Sequence, residues 1–116
     1  MKFPRHGHSC CSLGENFIVV TGSRKDHDKA PVRTEVYNTE VNRWMTLADL
    51  NFGRHYHSSC SFSSKYIYVF CGIYNENKKY LNSIERLEFN PNDINASLLK
   101  KWVALEVQNS NLLSPR

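Results

Sequence analysis

No segment of the 116-residue chain approaches the 18 apolar residues that a membrane-spanning helix requires, so a helical membrane protein is not expected. The opening Met1-Lys2-Phe3-Pro4-Arg5 lacks the apolar stretch of a secretory signal, which points to an intracellular, cytoplasmic setting. Cysteine is sparse. In a reducing compartment its four copies, Cys10, Cys11, Cys60 and Cys71, read as thiols and not as a disulfide framework. Long basic runs are missing too: the formal charge is only +4, and without a block of Lys and Arg neither nucleic acid nor a membrane surface is expected as a partner. Heptads, low-complexity tracts and helices of useful length are likewise not visible.

What the chain does have is a repeat. Residues 5 to 12, Arg-His-Gly-His-Ser-Cys-Cys-Ser, return as residues 54 to 61, Arg-His-Tyr-His-Ser-Ser-Cys-Ser, at a spacing of 49. At a spacing of 50, Phe17-Ile18-Val19-Val20-Thr21-Gly22 aligns with Ile67-Tyr68-Val69-Phe70-Cys71-Gly72, and Thr34-Glu35-Val36 with Ile84-Glu85-Arg86. Trp44 answers Trp102 at 58. A period near 50 built of short β-like runs is the mark of propeller blades, units that cannot bury their faces alone and must stack on neighbours.

Each unit reads as four short strands. In the first these are His8 to Leu13, Phe17 to Thr21, Thr34 to Tyr37 and Arg43 to Leu47; in the second, His57 to Phe62, Tyr66 to Cys71, Ser83 to Phe89 and Lys101 to Leu105. Residues 90 to 100 form an insertion in the second unit and delay Trp102, and insertions sit in loops. The repeats span 1–52 and 53–113. Residues 114–116, Ser-Pro-Arg, resemble the lead Phe3-Pro4-Arg5 and read as the start of a third repeat.

The segment Glu35-Val36-Tyr37-Asn38 followed by Asn42-Arg43-Trp44, with the lead Pro4-Arg5-x-x-His8-Ser9 and the apolar runs before Gly22 and Gly72, resembles the kelch repeat. The family's double glycine is Thr21-Gly22 and Cys71-Gly72 here, and Leu87 stands where the second unit would carry its Tyr. The resemblance implies an all-β chain of two four-stranded antiparallel kelch-like blades, an incomplete β-propeller. The His8 and His57 strands would be innermost and the Trp44 and Trp102 strands outermost. Each tryptophan then suits a wedge between blades, since a large ring seals a sheet-on-sheet gap. A closed propeller takes 4 to 8 blades, so further blades are expected from a longer chain or from self-association.

His6, His8, Cys10, Cys11, His55, His57, Cys60 and Cys71 carry metal-ligand chemistry. Their recurrence follows from the repeat, however, and a spacing of three puts His and Cys on opposite faces of a strand. No metal, cofactor or catalytic residue is therefore assigned. Glu35 and Glu85 are read as carboxylates making one structural hydrogen bond twice, and Gly22 and Gly72 as turn glycines. The repeat positions His8, Gly22, Glu35, Tyr37, Trp44, His57, Gly72, Glu85 and Trp102 are structural.

In a four-stranded meander the loop between the second and third strands emerges at the same end as the connection between units. Arg24, Lys25, Lys29, Arg33, Lys78 and Lys79 lie in the former loops, and Arg5 and Arg54 in the leads. A basic rim that docks an acidic segment of another protein is expected there. The function read from the sequence is thus a non-catalytic protein-interaction scaffold or adaptor. The alternative is part of a propeller-class enzyme, such as a copper-oxidase-like protein, completed by blades outside these residues.

Overall fold

The structure, a computed structural model, describes residues 1, 4–24 and 33–105. Lys25, Lys29 and the 114–116 segment lie outside the described residues. Among the described residues the chain is all-β, built mainly of two four-stranded antiparallel sheets. The first holds β1 (Ser9–Leu13), β2 (Phe17–Thr21), β3 (Arg33–Asn38) and β4 (Arg43–Asp49), in that spatial order. A short pair, β5 (Arg54–His55) with β8 (Ile73–Tyr74), joins the lead of the second sheet to one of its loops. The second sheet runs β6 (Ser58–Phe62), β7 (Tyr66–Phe70), β9 (Ile84–Glu88) and β10 (Val103–Leu105). No described helix is long and apolar enough to cross a membrane.

Period-two alternation gives each sheet two faces, and one face of each forms the core. Leu13, Phe17, Val19, Val36 and Leu47 of the first sheet meet Ile67, Val69, Leu87, Phe89 and Trp102 of the second. Each such side chain stabilises the pair by roughly 1.5 to 3 kcal/mol. Phe17 and Phe89 meet edge to face with centroids 5.2 Å apart. The edge strands β1 and β6 are neighbours, tied by the Ser9 and Ser59 hydroxyls at 2.6 Å.

The register corrects the spacing of 50 for the second strands. Leu13 pairs with Phe17, and Phe62 with Tyr66, so β2 maps onto β7 at 49. Val19 corresponds to Tyr68 and Thr21 to Phe70. Because a one-residue slip exchanges the faces of a strand, Val19 and Val69 occupy opposite faces of their own sheets. The extra residue is absorbed at Cys71, whose φ of 59° matches the 69° of Gly22. The third strands keep the spacing of 50, as Val19 opposite Val36 and Tyr68 opposite Arg86 show.

The insertion in the second unit is not a plain loop. It contains a single helical turn, α1 (Ile94–Ser97), whose N-cap Asp93 carboxylate accepts the Ala96 N–H at 3.2 Å. The buried Ser97 hydroxyl donates to the Asp93 carbonyl at 2.9 Å and accepts the Asn90 N–H at 2.8 Å.

Candidate functional site

Among the described residues, the end of the two sheets where β2, β4 and β7 finish gathers a dense polar network. It is anchored by two buried ion pairs at repeat-equivalent positions. Arg5 Nη2 donates to Glu35 Oε1 at 2.8 Å and Arg5 Nη1 to the Gly22 carbonyl at 3.0 Å. Arg54 Nη2 donates to Glu85 Oε2 at 2.8 Å, and Arg54 Nη1 to the Cys71 and Ser83 carbonyls, each at 3.0 Å. Glu85 also accepts the Asn51 and Phe52 N–H groups at 2.7 and 3.1 Å. Fork-shaped guanidinium groups suit this use, because one side chain closes a carboxylate and the orphan carbonyls that end a strand.

Arg5 and Arg54 are therefore not part of an exposed rim. Both side chains are buried against their glutamates, pulled inward by carboxylates two strands away. Glu35 and Glu85 each accept from the arginine that leads their own repeat. Arg and Glu recurring together, 30 residues apart in one unit and 31 in the other, was the available signal for the pairing.

Above these pairs the loops are bonded to one another. Ser23 N–H donates to the Arg54 carbonyl at 3.1 Å, Arg24 N–H to the His6 carbonyl at 2.9 Å and Tyr56 N–H to the Gly7 carbonyl at 2.7 Å. Asn75 joins three segments: its N–H donates to the Gly53 carbonyl at 2.8 Å, its amide nitrogen to the Ser23 carbonyl at 3.0 Å, and its amide oxygen lies 2.6 Å from His55 Nδ1. Gly22 sits where this junction is tightest. A Cβ there would fall 2.2 Å from His57 Cε1 and 2.5 Å from the Arg54 carbonyl, which only glycine avoids.

On the solvent side of the junction stand Tyr56, 62% exposed, and Tyr80, 88% exposed. Lys78 and Lys79 are exposed in a tight turn closed by the Lys78 N–H to the Tyr74 carbonyl and the Tyr74 N–H to the Lys79 carbonyl, both 2.8 Å. Arg24 is exposed, and Arg33 lies 3.8 Å from Asp49, which offsets its charge. Of the eight residues expected on a basic rim, the structure thus places Arg24, Arg33, Lys78 and Lys79 at the surface of this end. Tyr56, Tyr80 and Asn75 were not legible in the sequence, because what singles them out is non-local: exposure for the tyrosines and three distant partners for Asn75.

No family model matches the chain, and a search of curated proteins finds no matching sequence.

The histidines and thiols separate. Among the described residues no group of three or more His, Cys, Asp or Glu side chains comes together as a metal site. His6, His8, Cys10, Cys60 and Cys71 are exposed. Burial pushes the Cys11 thiol up to about 11, with a hydrogen bond from Ser59 opposing it and the Cys60 and Cys10 thiols adding to the effect, so at neutral pH Cys11 is a protonated thiol. His57 is buried at the junction with Nε2 2.8 Å from the Thr21 hydroxyl. Its Nδ1 has no hydrogen-bond partner among the described residues. Burial first, then the Arg54 charge and the neighbouring His55 and His8, lower its pKa to about 4, so it is neutral at physiological pH.

The two tryptophans, both expected as wedges, differ in burial. Trp102 is 4% exposed and its indole N–H donates to the Thr34 hydroxyl at 3.1 Å and the Ala48 carbonyl at 3.0 Å, both in the first sheet. Trp44 is 37% exposed and leans on Tyr37 with centroids 5.0 Å apart, because among the described residues no sheet packs over that face.

Proposed function

We propose that the chain forms a pair of kelch-like propeller blades whose task is to bind another protein without catalysis. The partner surface is an acidic segment, and it docks on the loop end of the sheets. Two sequential meanders stacked face to face, inner strands adjacent, support the blade reading. The observation that carries the binding reading is the loop junction itself: a platform fixed by Arg54, Asn75 and His55 that presents Tyr56 and Tyr80 beside Lys78, Lys79 and Arg24. Exposed tyrosines on a rigid base are good interface anchors, since they bring large contact area at small entropic cost, and surrounding cations select an acidic partner.

Fluorescence anisotropy with a Glu-rich tyrosine-free peptide and its Lys-substituted counterpart tests this. The acidic peptide should bind, more weakly as salt rises, and Lys78→Glu with Lys79→Glu should weaken it at least tenfold. Equal binding of both peptides, or no loss in the double variant, overturns the proposal.

A further inference from the structure

The corrected register shows which faces meet and which stay open. Across the first sheet, one row holds Cys11, Val19, Val36 and Met45, and the opposite face carries Ser12, Ile18, Tyr37 and Trp44. Their repeat counterparts in the second sheet are Cys60, Tyr68, Arg86 and Val103 on one face, and Ser61, Ile67, Leu87 and Trp102 on the other. The contact within the chain joins the Val19 face of the first sheet to the Ile67 face of the second. It is head to tail: the two sheets bury non-equivalent faces.

The open faces are therefore the two missing halves of the same contact. On the first sheet, Ile18 and Trp44 stand where Ile67 and Trp102 are buried in the second. On the second sheet, Tyr68, Arg86 and Val103 stand where Val19, Val36 and Met45 are covered in the first, and Phe62 at the same face is 63% exposed. Repetition of an interface already formed inside the chain says what fits each open face.

We infer that a second copy of this chain seats its Ile18, Tyr37 and Trp44 face on the Tyr68, Arg86 and Val103 face of the first copy, continuing the internal stacking. The chemistry adds a cation to the aliphatic and aromatic side chains of the kind that fill the internal contact. Arg86 already lies 5.1 Å from the Tyr66 ring centroid and supplies a cation for the rings of Tyr37 and Trp44. The polar bonds differ as well. Phe70 and Ile84 replace Thr21 and Thr34, the partners of His57 and Trp102 in the internal contact, so those two hydroxyl bonds have no counterpart between copies. A head-to-tail contact either closes into a ring or runs on as a filament. The number of copies rests on the propeller reading proposed above: with two sheets per copy and 4 to 8 in a closed propeller, the ring holds two to four copies. This inference is independent of the loop-end binding surface.

Light scattering of the full chain over a dilution series tests it. The wild type should reach a mass of two to four chains. Trp44→Glu spoils one face and Arg86→Glu the other, with Ile18→Glu and Val103→Glu as second variants should either fail to give a cooperative melt. Each variant alone should fall to single-chain mass, and an equimolar mixture of a first-face and a second-face variant should recover a one-to-one pair and nothing larger, since each still offers one intact face. A wild type that stays at single-chain mass, variants that associate like the wild type, or a mixture that gives no pair overturns the inference.

Discussion

Trp44 and Trp102 hold the same place in the two repeats, yet Trp102 is sealed between sheets with both acceptors of its N–H supplied by the other sheet, and Trp44 lies half open beside Tyr37. The histidines divide in the same way: His57 is buried against Thr21, and its counterpart His8 is exposed. What differs is the neighbour. A repeat prescribes side chains and their direction along a strand, while burial depends on whether another sheet lies over that face, so equal residues acquire unequal energies. The buried Arg and Glu pairs make the complementary point, because they lie at the loop end of each sheet and form in both repeats.

The sharpest way to break this comparison is to remove an arginine from each repeat. Arg54→Ala leaves Glu85 buried without its cation and frees the Phe52, Cys71 and Ser83 carbonyls, and is expected to cost about 3 to 5 kcal/mol, with Arg5→Ala at the lower end of that range because it closes a single carbonyl. Urea midpoints measure both. Equal losses would mean that the carbonyl bonds contribute nothing beyond the ion pair.

The tryptophans should differ more. Trp102→Ala is expected to destabilise by about 3 to 5 kcal/mol, the range for a buried large aromatic, and Trp44→Ala by about 1 kcal/mol when unfolding is followed at dilutions where single chains prevail. Similar losses in both would mean that the Trp44 face is covered within one chain.

The third prediction concerns pH. The folded-state pKa of His57 lies at about 4 against 6.5 for the free side chain, so the unfolded chain binds a proton that the folded one refuses. This contribution to stability is full above pH 6.5 and is lost as pH falls from there toward 4, by on the order of 3 kcal/mol. Urea midpoints across that window should decline in the wild type and flatten in His57→Gln. An unchanged slope in the variant would assign the decline to other groups.

The smallest effect contrasts the two strand ends. Cys71 is exposed and holds the left-handed backbone that Gly22 holds in the first repeat, a conformation costing a residue with a Cβ about 1 kcal/mol or somewhat more. Cys71→Gly should therefore raise the melting temperature by a few degrees. A drop would show that the thiol makes a contact worth more than the relieved strain.

Strand existence and order were legible because the apolar run Phe17 to Thr21 and the period of two in Thr34 to Tyr37 are local, and turn residues mark the ends. The alignment of β2 with β7 was not. The matching apolar residues Val19 and Val69 invite a spacing of 50, and only the hairpin pairing at Phe62 and Tyr66 reveals the slip. At the loop end, Lys78 and Lys79 were found by topology, whereas the inward turn of Arg5 and Arg54 needed the positions of Glu35 and Glu85 in space. A formal charge says nothing about which way a guanidinium points. The helical turn at 94–97 left a readable cue in Asp93, but four residues are too few for a periodic signal.

The unequal tryptophans also have an optical consequence. Two indoles, one sealed and hydrogen-bonded and one facing water, divide the intrinsic fluorescence into two channels. A soluble quencher such as iodide reaches Trp44 and not Trp102, so the quenchable fraction reports events on the outer face of the first sheet, and the protected fraction reports the integrity of the seam between the sheets. The chain thus carries its own pair of reporters, one for contact and one for folding, with no label added.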